Sequence, residues 1–213
     1  MSNLELASIS KSYGRKNVLI DVSGAIRPGL TLLTGPSGAG KSTLLRILAS
    51  AERPSAGQLK WDGSPLPAAR RALRSTLGYA PQAVDLPDDL SGLEFARYMA
   101  ALKGLDLAAA DRQFGAITEA IGLHADINQR IATYSGGMRR RLVFAQALLG
   151  APTLVILDEP TAELDPETAA RVSALITTQA RTAAVVMTTH LSDRLEDKVS
   201  ATWRVADGGV TIQ

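Results

Sequence analysis

Residues 35–43 read "GPSGAGKST", a match to G-x-x-x-x-G-K-[ST]. The short apolar run "LTLLT" (30–34) enters this stretch and the helix-like "KSTLLRILAS" (41–50) leaves it. A glycine-rich loop between a strand and a helix is the setting in which this pattern cradles phosphate. Average residue usage puts a chance match in a chain of this length on the order of one in a hundred. The residue types explain the chemistry. The loop of Gly35, Pro36, Ser37, Gly38, Ala39 and Gly40 presents backbone N–H groups to a polyphosphate. Lys41 reaches the β/γ oxygens, the Ser42 hydroxyl ligates Mg²⁺, and Thr43 begins the helix beside them.

Around this loop the chain reads as an α/β protein. At 213 residues, 46% apolar and 21% charged, it has the composition of one globular domain with a substantial core. A net charge of only +2 makes no case for a nucleic-acid surface, and none is expected as a partner. The absence of cysteine excludes disulfides and thiolate metal sites. "MSNLELASISKSYG" at the start lacks the apolar run of a signal peptide, and no stretch approaches 18 apolar residues. The chain is therefore expected to be soluble by itself, with any membrane role supplied by a partner.

"LELASIS", "NVLIDVSGAI" and "GQLKWDG" (57–63) have strand character. From residue 83 to about 150 the texture is alanine- and leucine-rich and helical. Within it Ser91 and Glu94 form a capping-box pattern ahead of "LEFARYMAAL". Parallel-sheet texture then returns in "LVIL" (154–157) and "AAVVM" (183–187), separated by the helical "PETAARVSALITTQA". "WRVADGGVTI" predicts a closing hairpin around Asp207, Gly208 and Gly209. The layout is an α/β core, residues 1–82 and 151–213, interrupted by a helical segment at 83–150.

Two further stretches carry chemistry. "LVILDEP" (154–160) puts Asp158 and Glu159 at the C-terminal end of an apolar strand, the edge where open α/β sheets bind ligands. Asp158 suits the Mg²⁺ of a nucleotide, and Glu159 suits proton acceptance from an attacking water. "YSGGMRRR" (134–141) places two glycines at the head of a helix whose apolar face is Met138, Leu142, Ala145 and Leu149. Inside a helix each glycine costs about 1 kcal/mol against alanine. At a helix N-terminus capped by Ser135, bare backbone becomes an anion site. Arg139, Arg140 and Arg141 then read as a solvated helix shoulder, and His124 as a surface histidine.

These pieces occur in one order: "GPSGAGKST", "YAPQ" (79–82), "YSGGM" (134–138), "LVILDEP", "ELDP" (163–166) and "TTH" (188–190). In that order the chain resembles, over essentially its full length, the nucleotide-binding domain of ATP-binding cassette (ABC) transporters. The resemblance implies a P-loop NTPase core with a mainly parallel sheet, an N-terminal antiparallel β subdomain and an inserted α-helical subdomain. It implies ATP and Mg²⁺ as cofactors, with Ser42, Gln82 and Asp158 at the metal and Glu159 and His190 as catalytic residues. Tyr13 would stack on adenine, Gln82 would link the metal site to the helical subdomain, and His190 would contact the γ-phosphate. Ser135, Gly136 and Gly137 would bind the γ-phosphate held by a second subunit, and Asp165 would lie in the loop facing it.

The implied partners are a second copy or a homologous ATPase subunit, and a separately encoded transmembrane permease on whose cytoplasmic face the chain would sit. Tyr134 and Met138 resemble the version found in bacterial exporters. Ala162-Glu163 departs from the family's usual serine-glycine before "LDP". The competing reading is a soluble ABC ATPase acting in translation or DNA repair. The first of these usually carries two cassettes in one chain, and the second inserts long coiled coils between phosphate loop and signature.

Overall fold

The computed structural model describes residues 3–189 and 198–213. In chain order the elements are β1 (Leu4–Tyr13), β2 (Lys16–Ile26), β3 (Gly29–Thr34), α1 (Lys41–Leu48), β4 (Ala56–Trp61) and β5 (Ser64–Pro65). Then come α2 (Arg70–Ser75), β6 (Leu77–Ala80), α3 (Gly92–Leu102), α4 (Leu107–Ala120) and α5 (Gly136–Ala147). The chain continues through β7 (Leu154–Asp158), α6 (Pro166–Gln179), β8 (Ala184–Thr188), β9 (Val199–Ala206) and β10 (Gly209–Ile212).

Two sheets organise these elements. One is antiparallel, in the order β2-β1-β4-β5; the other has six strands in the order β10-β9-β3-β8-β7-β6. In the larger sheet every neighbouring pair is parallel except β10 with β9, the closing hairpin. The predicted α/β class, the antiparallel N-terminal sheet and the terminal hairpin are all present.

The central strands β3, β8 and β7 of the large sheet are buried on both faces, and their side chains show why they read as continuous apolar runs. Successive residues of a strand point to opposite faces. Leu154 and Ile156 of β7, with Ala184 and Val186 of β8 and Leu33 of β3, meet α1 and the antiparallel sheet. Val155, Leu157, Val185, Met187, Leu30 and Leu32 meet the opposite layer, built from α3 to α6. One strand sequence thus serves two cores, which leaves no polar alternation to read.

Local chemistry fixes the helix starts. Ser91 and Glu94 close the capping box, Ser91 Oγ accepting the Glu94 N–H at 3.2 Å and Glu94 Oε2 accepting the Ser91 N–H at 2.7 Å. Asp106 caps α4 through the Ala109 N–H. Asp165 caps α6 through the Glu167 and Thr168 N–H groups, with Pro166 opening the helix. Helix α5 packs against β6 as well as against its helical neighbours, and Gln146 Nε2 donates to the Tyr79 carbonyl at 2.8 Å. Among the described residues no helix is long and apolar enough to cross a membrane.

Ile156 is fully buried under α1. Ile156→Ala removes three buried carbons where both layers are closed, and should lower unfolding free energy by about 2–5 kcal/mol. Urea denaturation at constant m-value measures this; a loss under about 1 kcal/mol would mean the sheet is not packed on that face.

Candidate functional site

The parallel register brings four strand ends to one edge. Leu33 of β3 pairs with Thr188 of β8, Thr188 pairs with Asp158 of β7, and Leu157 pairs with Ala80 of β6. The loops that follow β3, β7 and β6 carry the phosphate-loop residues, Glu159 and Gln82. Their side chains and backbone meet in one cleft of about 420 Å³, lined by Tyr13, Ser37, Gly38, Gly40, Lys41, Ser42, Thr43, Gln82 and Glu159.

The loop is shaped by two glycines. Gly35 has φ +132°, and a Cβ there would lie 2.0 Å from the Val205 carbonyl oxygen. Gly40 has φ +105° and would place a Cβ 2.9 Å from Val18. Gly40 is also the N-cap of α1, so no side chain caps that helix and no acid stands in its first turn. The first-turn N–H groups and the positive end of the helix dipole are left facing the cleft, an anion site in waiting. Lys41 Nζ donates to the carbonyls of Gly35 at 2.8 Å and Pro36 at 2.9 Å, so the ammonium folds over the loop. Phosphate oxygens are stronger acceptors than these neutral carbonyls and would draw it into the cleft.

The acids are held by β8. Thr188, 1% exposed, donates through Oγ1 to Asp158 Oδ1 at 2.6 Å and accepts the Glu159 N–H at 2.9 Å. Asp158 is itself buried. Glu159 has φ +52°, a left-handed conformation costing a non-glycine residue about 1–3 kcal/mol. Its carbonyl accepts from Arg140 Nη1 at 2.9 Å and from the Ala162 N–H at 3.1 Å, and its Oε2 accepts from Gln82 Nε2 at 3.2 Å. The turn is thus over-determined, and it carries the carboxylate into the cleft. Ser42, Gln82 and Asp158 offer only oxygen donors (hydroxyl, amide and carboxylate). That set fits Mg²⁺, which takes one or two carboxylates plus substrate phosphates rather than an all-protein cage. No group of three His, Cys, Asp or Glu able to form such a cage exists among the described residues.

Tyr13 stands at the cleft mouth, 44% exposed. Its hydroxyl donates to Glu52 and accepts from Arg46 Nη2 at 3.1 Å, and Lys11 Nζ lies 5.0 Å from its ring centroid. Burial pushes the Glu52 carboxyl up, but hydrogen bonds from Lys11, Tyr13 and Arg46 outweigh it and hold the group at about 2.

Several residues lie elsewhere. Ser135, Gly136 and Gly137 do not line this cleft. Ser135 is the N-cap of α5, its Oγ accepting the Met138 N–H at 3.2 Å. A Cβ on Gly136 or Gly137 would meet atoms only at 3.5 Å and 3.7 Å, ordinary contact, so the chain's own packing does not demand glycine. Asp165 is exposed, and its helix-capping bonds, led by the one to Thr168, hold its carboxyl below the usual range. His190 lies outside the described residues.

The arginines correct the sequence reading of a solvated shoulder. All three are partly buried and engaged: Arg139 pairs with Asp88 at 2.6 Å, Arg140 reaches Glu159, and Arg141 donates to the carbonyls of Ile121, Gly122 and Gly137. Thr188 and Glu52 also escaped the sequence reading; Thr188 stands in the quoted "TTH", but its role depends on which strand lies beside it.

The family pattern described as ABC transporter matches residues 19–162, and the chain belongs to that family. A relative from Rhizobium etli, "Nod factor export ATP-binding protein I", is 33% identical over 220 residues, covering 100% of this chain and 67% of its own. The chain spans about two thirds of the length of the curated relatives it matches. A solved structure described as the ATP binding subunit of an ABC transporter superposes with a TM-score of 0.90 at 27% identity, over 99% of this chain and 89% of that one. A dimeric bacterial ABC transporter cassette shares the fold, with a TM-score of 0.89 at 23% identity over 99% and 97% of the two chains.

The Glu52 carboxyl titrates lower folded than its ordinary 4.5, so its stabilising contribution is complete above that value and is lost as pH falls through about 2. Glu52→Gln should melt below the wild type at neutral pH, and the two melting temperatures should converge between pH 4.5 and 2. A constant gap across that window in thermal melts would contradict the cluster.

Proposed function

We propose that this chain is the ATP-hydrolysing subunit of an ABC exporter, working as a head-to-tail dimer on a separate membrane permease. The convergence of the 35–43 loop, Asp158, Glu159 and Gln82 at one sheet edge carries this reading. The loop and the α1 N-terminus grip the polyphosphate, and Lys41 neutralises its β/γ oxygens. Ser42, Gln82 and Asp158 hold Mg²⁺, which supplies charge neutralisation at the phosphates. Glu159 takes the proton from the attacking water, help worth about 10²–10⁴ in rate. Tyr13, anchored through its hydroxyl, offers its ring to adenine. His190 completes the proposed site at the γ-phosphate. The exporter direction rests on the names of the relatives and on Tyr134 and Met138.

The dimer is supported by what α5 presents. Ser135, Gly136 and Gly137 form a helix N-terminus whose glycines have room for side chains within their own chain. Their bareness serves something outside, and a neighbour's γ-phosphate matches the helix dipole. Asp165 lies in the loop that faces the same neighbour. The helical segment 83–150 is the part that moves against the 1–82 and 151–213 core when ATP binds.

Unhydrolysed ATP should therefore hold two chains together. Glu159→Gln keeps a hydrogen-bonding group of similar shape but cannot accept the proton, so hydrolysis should fall by about 10²-fold or more with ATP still bound. On a sizing column, concentrated Glu159→Gln should shift from monomer to dimer only with millimolar-scale ATP. Adding Lys41→Ala should abolish the shift by loss of binding, and adding Ser135→Arg should abolish it with binding retained in titration calorimetry. A dimer that forms equally without nucleotide, or survives Ser135→Arg, contradicts the sandwich.

The permease is proposed to dock near the helical segment, on some of residues 83–102. Tyr98 and Leu102, 56% and 65% exposed, stand one turn apart on α3, and Val84 is exposed nearby in sequence. Beside Leu102 runs a cleft lined by Arg70, Arg71, Arg74 and Lys103. Burial lowers the Lys103 ammonium to about 8. This surface fits a cytoplasmic segment with apolar and acidic faces. Photo-crosslinkers at Tyr98 and Leu102 should capture a co-expressed multi-span partner; capture only from the β9–β10 hairpin would move the docking site.

A further inference from the structure

Glu159 lies in the loop after β7, yet one of the bonds fixing it comes from the helix that starts at the signature glycines. Arg140 follows Gly136 by four residues, one helical turn along the same face of α5. Its side chain is 16% exposed, and Nη1 donates to the Glu159 carbonyl at 2.9 Å while Nη2 lies 3.4 Å from Glu163 Oε1. Glu163 is the weaker anchor: its side chain is 69% exposed, and its other carboxylate oxygen lies 3.5 Å from where a Gly136 Cβ would stand. The contact to the Glu159 carbonyl is the shorter and the more sheltered of the two, part-buried where the Glu163 contact is exposed.

The position of this bond gives it leverage. Glu159 sits at φ +52°, and the backbone on either side of its Cα is pinned separately: the N–H by Thr188, the carbonyl by Arg140 and by the Ala162 N–H. Thr188 also holds Asp158, so it fixes the entry to the turn against β8. Arg140 fixes the exit against α5. Removing the guanidinium takes away one of the bonds that hold the exit beside the 3.1 Å turn bond from Ala162, and loosens the peptide plane that aims the Glu159 side chain. Arg140 does not itself line the cleft; its hydrogen bonds go to Glu159 and Glu163 and not to the 35–43 loop.

We propose that Arg140 is a positioning residue, which holds the Glu159 carboxylate in line for proton abstraction and ties it to the helix bearing Ser135, Gly136 and Gly137. This rests on the proposed ATPase function. In the dimer, the helix that clasps the neighbour's nucleotide is the one that sets this chain's own base, so closure of one site aligns the other.

The test is steady-state ATP hydrolysis by the full chain with Mg-ATP, for wild type, Arg140→Ala, Arg140→Lys and Glu159→Gln. A general base displaced by about 1 Å loses on the order of 10²-fold in rate. Arg140→Ala should lower kcat roughly 10- to 100-fold and leave KM for ATP within about twofold, because the phosphate contacts are intact. Arg140→Lys, which keeps a cationic donor, should recover part of the loss, and added methylguanidine should raise the rate of Arg140→Ala but not of Glu159→Gln. A merely structural arginine would instead lower the melting temperature and raise KM, with no response to methylguanidine. That result, or an Arg140→Ala chain as fast as wild type, overturns the inference while leaving the ATPase reading intact. A wild-type chain that hydrolyses no ATP, or loses nothing on Glu159→Gln, overturns the ATPase reading and this inference with it.

Discussion

The site depends on the parallel register of β3, β8, β7 and β6. Parallel strands deliver their C-terminal ends to one edge, so residues 35–43, Glu159 and Gln82 emerge side by side although Gly35 and Glu159 are 124 positions apart in sequence. Thr188 makes that register specific at the site. Its hydroxyl donates to Asp158 and accepts from the Glu159 backbone, so the acids cannot shift along β7 without breaking a buried pair. An unmade bond there would leave buried polar groups unsatisfied, at about 1–3 kcal/mol each.

A second constraint is the tension between positive and negative elements around the cleft. The phosphate loop ends in an uncapped helix and a lysine, while Glu159 lines the same cleft. Lys41 donates to loop carbonyls, and Glu159 accepts from the Gln82 amide. Both contacts are neutral on one side, and both are replaceable by charged partners. The same economy appears in α5, which belongs to the core through Leu142, Val143, Phe144, Ala145 and Ala147, contacts Glu159 through Arg140, and leaves room at its N-terminal glycines.

Much of the fold was legible in the sequence because its signals are local. The capping box at Ser91 and Glu94, the apolar runs of β7 and β8 and the Asp207-Gly208-Gly209 hairpin each depend on neighbours within a few positions. Strand β6 and helix α2 gave weaker signals. β6 is four residues long and includes a glycine, and α2 buries only Leu73, so neither shows a full period. Glu52 carried no motif to read: Arg46 lies six positions away, but Tyr13 and Lys11 reach it from a strand, Tyr13 from 39 positions upstream.

The amino-acid sequence by itself determined the chemistry on offer: a phosphate loop whose glycines permit backbone shapes closed to other residues, two acids at a strand end, and a helix opened by serine and glycines. Those properties are written in residue type and short spacing. Tertiary structure alone decided which groups meet. It bonded Thr188 to both Asp158 and Glu159, drew Tyr13 to Glu52, and turned the arginine run from a solvated shoulder into three engaged side chains, of which Arg140 braces the Glu159 turn. The reason is physical: hydrogen bonds between strands and helices far apart in the chain depend on register and packing, and no local pattern of residues encodes either.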